Sequence, residues 1–547
     1  MIHDECWKRA AIEMPIATDQ KTRGAFYTGQ SVARWIVNWA VRNPEDTVLD
    51  PSCGAGVFLE SASRRVDKNG NSNPHVWGID VDGTALKLVG EQIPRCKLIN
   101  RDFFSIVPNE APRFDAVVGN PPFIRYQSFN GSSRSLALTR ARENGVRLPK
   151  LSSSWAPFLV HAASFLKKGG RLGMVVPAEL THAQYAREVL KFLTNKFGRI
   201  QLSIFRKKLF PELSEDTGVL LCDGYESRCG WFTIAVLSDI QEAEEERYLP
   251  QPVNIEEVLS GRTRLTHYLL GPTVRNLYQS LSESAQVTRL GVVSEVGIGY
   301  VTGCNDFFHV THQEARKWRL PASVLRPALV SMEGALGAVL YKPDWLRNRD
   351  AGMKAYLLAV PEVCESSLPN SVREYLRFGA KLGVPERFKC RIRRAWYSVP
   401  HVKTADAFLS YMCGQRPRLI ANRPRLVAPN TLHLVHFGKR QRGEPFIAGW
   451  YSSLTRLSCE LEGHPLGGGM LKLEPSEAER VMVPLANKGD VPALLSDLDS
   501  LIRGKKEEEA SDLADRIMLR RGLGLSGSEC AALREAAVRM RDWRMHR

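Results

Sequence analysis

The motif with the clearest chemical meaning is Asn120-Pro121-Pro122-Phe123, which directly follows the apolar segment FDAVVG. Each proline fixes φ and donates no backbone hydrogen bond, so the carbonyl of Pro121 is free to face a ligand. Asn120 adds an amide oxygen, and Phe123 adds a flat apolar face. Two acceptors suit an NH2 group, and an aromatic face suits a planar ring. The motif therefore predicts a socket for the exocyclic amine of a base; the alternative is an ordinary Pro-Pro turn with a core phenylalanine.

Three aspartates accompany three successive predicted strands. Asp50 ends TVLD, Asp80 ends HVWGID, and Asp102 lies in KLINRDFF. In a parallel sheet, ligands bind outside the carboxyl ends of the strands, so these acids are expected in one crevice. A single strand-end acid is more commonly a helix cap, but three in order indicate a binding site.

A glycine-containing turn follows the first of these strands. Gly54 and Gly56 would let a ligand approach the backbone at the start of a helix. Asp80 lies 24 residues past Gly56, about where nucleotide-binding sheets place the acid that binds a ribose. Because no Walker lysine follows, the pattern favours an adenosine ligand without phosphates over a triphosphate.

The elements that must position these residues alternate between strand and helix through the first 240 residues. This alternation predicts an α/β fold with a doubly wound, mostly parallel sheet. Periodicity also predicts a helix over 154–170 that stops at a glycine pair. Strands are predicted at 47–50, 75–80, 97–104, 114–120, 171–177, 201–205, 217–225 and 231–239.

Charge and cysteine usage limit the class of protein. The chain has 547 residues, 75 Lys and Arg against 59 Asp and Glu, and a net charge of +16. Such a surplus favours a polyanionic partner, nucleic acid before membrane. The 11 cysteines include no Cys-x-x-Cys pair, so we expect reduced thiols in a cytoplasmic protein and no metal site. We expect no signal peptide and no membrane span, because no run of 18 apolar residues occurs.

Two basic stretches are candidates for DNA contact. Residues 125–154 hold six basic residues and one acid and are expected to form a long loop near DNA, or else a solvated insertion. Residues 387–425 hold ten basic residues and one acid with interleaved aromatics. This second stretch, including Arg391, Arg393 and Arg394, predicts a DNA-facing surface; the alternative is a solvated charged face.

These motifs, in this order, resemble the gamma class (the TaqI-like type) of S-adenosylmethionine-dependent adenine-N6 DNA methyltransferases from restriction–modification systems. The resemblance is dense over residues 20–240 and returns at 297–308 and 467–485. It rests on GAFYTG, VLDPSCGAGVFLE, VWGIDVD, RDFF, FDAVVGNPPF, GRLGMVVPAEL, GIGYVTGCNDFF and GGGMLKLEPSEAERVMVPL.

The resemblance implies a Rossmann-like methyltransferase domain over 1–240 and an α+β target-recognition domain over 271–490. The acidic run EAEEER marks an expected junction at 241–270. Helical periodicity predicts a C-terminal helical segment over 491–547. No nuclease motif is found, so restriction would reside in another chain, a cognate endonuclease.

By the same resemblance, a target adenine is flipped out of double-stranded DNA, and Asn120 and the Pro121 carbonyl accept its two N6–H bonds. Phe123 and Phe210 are expected to hold the two faces of the base. For Phe210 alone, a core position is the alternative.

The resemblance also implies the residues that bind the cofactor S-adenosylmethionine. Asp80 is expected on the ribose, Asp102 on the adenine amine, and Phe103 on the adenine ring. The remaining candidates line the methionine end or the glycine turn: Tyr27, Thr28, Asp50, Gly54 and Gly56.

Three functions stay open at this point. The leading one is a site-specific DNA adenine methyltransferase. The second is methylation of an rRNA base or a protein glutamine amide, which uses a similar Asn-Pro-Pro-aromatic socket. The third is a catalytically idle subunit that only binds DNA.

Overall fold

The computed structural model describes residues 28–66, 75–125, 127–210, 216–438, 442–485 and 489–546. The chain forms two compact units, one up to Leu269 and one over Leu270–His546. Residues 241–269 belong to the first unit, and the C-terminal helices belong to the second.

A nine-stranded sheet forms the centre of the first unit, in the order β3-β2-β1-β4-β5-β7-β6-β8-β9. The strands are parallel except β7 and β9, which run antiparallel to their neighbours. The predicted doubly wound, mostly parallel α/β sheet is thus confirmed. The strands are β1 (Val48–Asp50), β2 (Val76–Asp80), β3 (Lys97–Asn100), β4 (Phe114–Gly119), β5 (Leu166–Pro177), β6 (Phe197–Phe205), β7 (Thr217–Tyr225), β8 (Trp231–Leu237) and β9 (Gln251–Pro252).

Helices cover this sheet by burying apolar stripes. In the first helix, Val32, Trp35, Ile36 and Ala40 are buried at helical spacing, the pattern expected of a helix that faces a core. The helices are α1 (Gln30–Ala40), α2 (Val57–Ser63), α3 (Gly83–Gln92), α4 (Gly131–Glu143), α5 (Trp155–Ala163), α6 (Ala186–Lys196), α7 (Ile240–Glu244) and α8 (Ile255–Ser260), with 3-10 turns at Phe103–Ser105, Ala178–Thr181 and Leu265–Leu269.

The helix predicted over 154–170 was too long. It ends at Ala163, and β5 begins at Leu166, which pairs with Phe114 of β4. The lysines after Leu166 thus lie in a strand, where Lys167 Nζ contacts Asp115 Oδ2 at 2.6 Å. Gly169 adopts a positive φ of 78°, which a helix interior does not accommodate.

The long loop predicted over 125–154 was also wrong, because 131–143 forms α4. Ala137 and Ala141 are fully buried on this helix, which packs against α5. Arg140 donates from Nε to the Phe104 carbonyl at 3.0 Å. Arg140, one of the basic residues expected to contact DNA, therefore makes a hydrogen bond that joins α4 to the 3-10 turn at 103–105.

The second unit mixes small sheets and helices, in agreement with the α+β expectation. Its largest sheet has five strands in the order β11-β19-β16-β18-β14, and three smaller sheets are β12-β15-β13, β17-β21-β20 and β10-β22. The strands are β10 (Val287–Arg289), β11 (Ser294–Ile298), β12 (His309–Val310), β13 (Leu325–Pro327), β14 (Val339–Leu340), β15 (Tyr356–Leu358), β16 (Ala407–Ser410), β17 (Met412–Cys413), β18 (Leu419–Asn422), β19 (Leu432–Phe437), β20 (His464–Leu466), β21 (Met470–Lys472) and β22 (Met482–Pro484).

The C-terminal helices share the core of this unit. Leu498 and Leu533 are buried in one cluster with Trp450 and Leu457. The helices are α9 (Pro272–Ser282), α10 (Leu290–Val293), α11 (Asn305–Phe308), α12 (His312–Lys317), α13 (Lys342–Asp350), α14 (Asn370–Lys381), α15 (Phe388–Arg391), α16 (Glu444–Gly449), α17 (Ser453–Glu462), α18 (Pro475–Ala478), α19 (Val491–Arg503), α20 (Glu507–Ala514) and α21 (Gly527–Met545), with 3-10 turns at Ala322–Val324, Met332–Gly334 and Glu365–Ser367 and a π-helical turn at Asp515–Gly522.

An arginine at the end of α19 ties that helix to β14 and α13. Arg503 donates to Asp344 at 2.7 and 2.8 Å, to Asp499 at 2.7 Å and to the Val339 carbonyl at 2.7 Å. Burial raises the pKa of Asp344, but hydrogen bonds from Arg503 and the Tyr341 N–H outweigh it and hold that pKa below its ordinary value. The pair is therefore ionised and depends on the guanidinium.

We expect Arg503→Met to lower the free energy of unfolding by about 3–5 kcal/mol, because it removes the cation that bridges two largely buried carboxylates. The measurement is urea unfolding. Arg347→Met is the matched control, since Arg347 contacts Asp344 only at 3.5 Å and is more exposed than Arg503. Arg347→Met should lower the free energy of unfolding by less than about 1 kcal/mol. Equal losses in the two variants would contradict the role given to Arg503.

Candidate active site

The Asn-Pro-Pro-Phe motif follows the carboxyl end of β4, as predicted. Asn120 donates from Nδ2 to Thr28 Oγ1 at 3.2 Å, and its backbone carbonyl accepts from Ser52 Oγ at 3.2 Å. Its amide oxygen is buried and has no hydrogen-bond partner within the described part of the chain. A buried acceptor without a partner costs about 1–3 kcal/mol, so a hydrogen-bond donor at this oxygen would be favourable.

A serine that the sequence analysis missed holds the backbone of the motif. Ser154 Oγ donates to the Pro122 carbonyl and accepts from the Ile124 N–H at 2.8 Å, and the Ser154 N–H donates to the Ile124 carbonyl at 3.0 Å. Three bonds to one residue fix the chain on both sides of Phe123. The signal in the sequence was the Ser-Ser-Ser-Trp run before α5, which is typical of a helix start.

The start of α5 is in turn fixed by residues that follow β5. Trp155 Nε1 donates to Glu179 Oε2 at 2.9 Å and to the Tyr185 hydroxyl at 3.0 Å. The same hydroxyl accepts from the Ser153 N–H at 3.3 Å. The socket backbone therefore rests on a connected polar network rather than on a free loop.

The two aromatic residues expected around the base are both buried. Phe123 is 7% exposed and Phe210 is 2% exposed. Phe210 is thus packed as a core residue in this structure, which is the alternative weighed from the sequence. Phe210 can stack on a base only if its ring becomes exposed.

Asp80 and the glycine turn come together at the ends of β1 and β2. Asp80 Oδ2 accepts from the Gly54 N–H at 2.8 Å, and Oδ1 accepts from the Asp82 N–H at 2.9 Å. Gly56, with φ of 82°, precedes α2, and a Cβ there would lie 2.9 Å from Val89. The carboxylate orientation is therefore fixed, and the turn is close enough to α3 that only glycine fits.

Asp50 is almost fully buried at the end of β1. Its Oδ1 accepts from the Ser52 N–H at 3.1 Å, while Oδ2 is a second buried oxygen without a partner in the described residues. Burial raises the pKa of Asp50 to about 8; the Ser52 N–H opposes this rise and the charge of Asp80 adds to it. A cationic group at this place would favour the ionised carboxylate.

Asp102 lies two residues beyond the end of β3 and begins the 3-10 turn at 103–105. Its Oδ1 accepts from the Phe104 N–H at 2.9 Å. Its Oδ2 accepts from Ser133 Oγ of α4 at 2.9 Å. Ser133 is a second residue that the sequence analysis missed, because it lies in the segment predicted to be a loop.

The expected role of the Phe103 ring needs correction. The ring is 4% exposed and packs against Phe158, His161 and Phe165 with centroid separations of 4.9, 4.6 and 5.2 Å. An adenine ring cannot stack on it in this arrangement. Val81, which directly follows Asp80, is an exposed apolar residue (62%) that the sequence analysis did not consider.

Tyr27 lies outside the described residues. Thr28 contacts the socket through its hydrogen bond with Asn120. The candidates from β1, β2 and β4 therefore gather at one edge of the sheet, whereas Phe103 and Phe210 pack into the core.

The three arginines singled out in the second unit differ from one another. Arg391 is exposed, and Arg394 is 91% exposed, with Nε 3.8 Å from Glu362. Arg393 instead donates to the carbonyls of Val301 and Thr302 at 2.6 and 2.8 Å. Burial lowers its pKa. The expectation that Arg393 faces DNA was wrong, because its guanidinium is used inside the fold.

Within the described part of the chain, no helix is both long and apolar enough to cross a lipid bilayer.

Family comparisons cover most of both units. Residues 11–196 match the family model N-6 DNA Methylase, and residues 262–519 match the C-terminal domain of Type II methyltransferase M.Eco57I. Type II methyltransferase M.AccI from Acinetobacter calcoaceticus is 20% identical over 85% of this chain and 86% of its own length. M.XamI from Xanthomonas campestris pv. amaranthicola is 22% identical over 86% of each chain.

Among solved structures, the Type IIL restriction–modification enzyme MmeI, solved in complex with DNA, aligns with a TM-score of 0.51. The alignment covers 93% of this chain and 75% of that one, at 11% identity. This likeness supports the fold of the chain.

The raised pKa of Asp50 gives a pH dependence that can be measured. The folded state keeps the proton on Asp50 up to about pH 8, whereas the unfolded state loses it near the ordinary pKa of 3.8. The stability contributed by this group is therefore present below pH 4 and is lost as pH rises toward 8. We expect Asp50→Asn to become progressively more stable relative to the unmodified protein between pH 4 and pH 8, as measured by urea unfolding.

Asp115→Asn is the control for this comparison. Burial raises the pKa of Asp115, but hydrogen bonds from Lys167 and Thr47 outweigh it and lower that pKa. The difference in free energy of unfolding between Asp115→Asn and the unmodified protein should thus stay constant between pH 5 and pH 8. The same flat profile for Asp50→Asn would contradict a raised pKa at Asp50.

Proposed function

Because the chain belongs to the N-6 DNA methylase family, as carried by Type II restriction–modification methyltransferases, we propose that it methylates N6 of adenine at a specific sequence in duplex DNA. The observation that carries this proposal is the buried, unpartnered amide oxygen of Asn120, which directly precedes two prolines. An acceptor held in this way fits an exocyclic amine.

The socket residues bind and orient the amine. The lone pair of adenine N6 is delocalised into the ring, which makes it a poor nucleophile. Asn120 Oδ1 and the Pro121 carbonyl accept the two N6–H bonds and favour a more pyramidal nitrogen. Thr28 fixes the other end of the Asn120 amide, so the oxygen cannot turn away from the base.

The base reaches this socket only after it leaves the duplex. A base inside the helix is stacked and paired, and enzymes that modify a ring amine flip it into a pocket. Phe123 lies between two backbone positions held by Ser154, and its ring, which is 7% exposed, stacks on the base once DNA binding exposes one face. Phe210 completes the sandwich if its ring leaves the core on DNA binding.

The crevice beside the socket fits S-adenosylmethionine. The cofactor is cationic and carries ribose hydroxyls and an adenine amine; Asp50, Asp80 and Asp102 offer carboxylates for such groups. Asp50 Oδ2 is buried without a partner in the described residues, as expected for a group that meets its counterpart only in the complex. When bound, the cofactor supplies an electrophilic methyl group on sulfur.

We place the chain as the modification component of a restriction–modification system, with cleavage carried by a separate cognate endonuclease. The match of residues 262–519 to a Type II methyltransferase domain favours DNA over an rRNA base or a glutamine amide as substrate. The second unit then selects the sequence, and the first carries out the transfer.

The direct test is methylome sequencing of DNA from cells that express this chain alone. We expect N6-methyladenine at one recognition sequence. Asn120→Ala should abolish it while leaving DNA and S-adenosylmethionine binding within about threefold, since the missing hydrogen bonds act mainly in the transition state. Methylation at cytosine, or full methylation by Asn120→Ala, would contradict the proposal, and no methylation by the unmodified chain would support an idle DNA-binding subunit.

The exposed arginines of the second unit give a test of DNA contact. Each phosphate contact contributes roughly −0.9 to the slope of log affinity against log salt. We expect Arg391→Gln with Arg394→Gln to flatten this slope by about 0.9 for each arginine that neutralises a phosphate. Arg393→Gln should leave the slope unchanged and instead lower stability, because the carbonyls of Val301 and Thr302 lose their donor. A salt titration by fluorescence anisotropy with duplex DNA distinguishes the two patterns.

A further inference from the structure

Two exposed apolar residues, Phe388 and Ile392, lie on the short helix α15 and directly after it, in a segment rich in basic residues. Phe388 is 63% exposed and Ile392 is 61% exposed. Around them lie four exposed basic side chains, and the nearest acid in the sequence is Glu386. The four are Arg387, Lys389, Arg391 and Arg394.

This apolar pair is held rigidly. Cys390 is fully buried and directs Sγ toward the Thr302 carbonyl at 3.6 Å, and Arg393 holds the same turn through its bonds to the Val301 and Thr302 carbonyls. Gly303, with φ of 82°, lies so close that a Cβ there would be 2.9 Å from Lys389 Cβ and 3.0 Å from Cys390 Sγ. The exposure of Phe388 and Ile392 is therefore a fixed feature of the fold.

We propose that Phe388 and Ile392 form a wedge that enters between base pairs of the bound DNA, while the surrounding cations contact phosphates. Apolar wedges of Phe, Leu, Ile or Met unstack a base step and kink the duplex in other DNA-binding proteins. The proposal rests on the DNA-binding function above. It adds a contact that is separate from base selection and from the methyl-transfer socket.

Charge and size favour DNA over a protein partner. Four exposed cations occur within residues 387–394, and such cations complement the phosphates of DNA. Two partly exposed apolar residues offer on the order of 250 Å², whereas a stable protein interface takes about 800 Å² from each partner. Lys389 Nζ lies 5.6 Å from the centre of the Phe388 ring, so the apolar side chain has a charge beside it rather than a dry apolar rim.

The wedge predicts unwinding of DNA that can be measured without knowing the recognition sequence. Nicked plasmid circles are closed by ligase in the presence of saturating protein, and the linking number is read on a gel after the protein is removed. We expect the unmodified chain to lower the mean linking number. Phe388→Ala with Ile392→Ala should reduce that change at least twofold at equal occupancy, and Phe388→Trp should preserve it, because indole also stacks.

Val292→Ala is the matched control. Val292 is 76% exposed in the same unit and is followed by Glu295 rather than by cations, so its truncation should leave the linking number unchanged. Both wedge positions are exposed, and the variants are therefore expected to fold.

The outcomes separate the wedge from the proposed function. DNA binding with the same linking number in the double variant overturns the wedge, leaves the methyltransferase proposal standing and points to a protein-docking surface. Binding without any unwinding by the unmodified chain overturns the wedge in the same way. Failure of the unmodified chain to bind duplex DNA at all overturns both.

Discussion

The first unit keeps two buried oxygen atoms without partners in the described residues, Oδ1 of Asn120 and Oδ2 of Asp50. Each costs about 1–3 kcal/mol, and the fold keeps both. They lie after β4 and at the end of β1, and these strands are neighbours in the sheet. The strands approach so closely that a Cβ on Gly119 would lie 2.8 Å from Asp50 Oδ1. The rigid sheet thus holds, at one edge, two buried oxygen atoms that have no partner in the described residues.

Hydrogen bonds around the Asn-Pro-Pro motif leave the amide oxygen of Asn120 without a donor from the described residues. The amide nitrogen of Asn120 donates to the Thr28 hydroxyl, and the Ser52 hydroxyl donates to the backbone carbonyl of Asn120. The Ser154 hydroxyl donates to the Pro122 carbonyl. These bonds hold the amide nitrogen of Asn120 and two backbone carbonyls of the motif, and they leave the Asn120 amide oxygen without a partner in the described residues. Preorganisation of this kind places the unfavourable desolvation in the folding step, so the amine of the proposed function would gain the full hydrogen bond on binding.

The sequence could predict what local patterns encode. Strand ends and a glycine turn are local, so the placement of Asp50, Asp80 and the Asn-Pro-Pro segment at the carboxyl ends of β1, β2 and β4 was foreseeable. The helical prediction over 154–170 failed at its end, because only the pairing of Leu166 with Phe114 converts a helical pattern into β5. α4 was missed for a related reason: its only buried stripe is two alanines, which carry little hydrophobic signal in a polar segment.

Contacts distant in the sequence escaped prediction altogether. Ser133 reaches Asp102 across 31 residues, and Arg393 reaches Val301 across 92. Counting charges treats Arg393 and Arg394 alike, although one is bonded to backbone carbonyls and the other is almost fully exposed. Which cation faces solvent is decided by tertiary packing, and the order of charges along the chain does not contain that information.

The chain is strongly basic overall, but the aspartates at the strand ends are not neutralised by this surplus of positive charge. Asp50 is buried beside Asp80, and without a cation nearby its charge is suppressed. The net charge of +16 does not relieve this, because surface charges are screened within about 8–10 Å at ordinary salt. A cationic cofactor would supply the missing charge locally, while DNA needs the surface cations that the crevice cannot use. Under the proposed function, the two ligands draw on separate groups of charges: buried carboxylates for the cationic cofactor and surface cations for DNA.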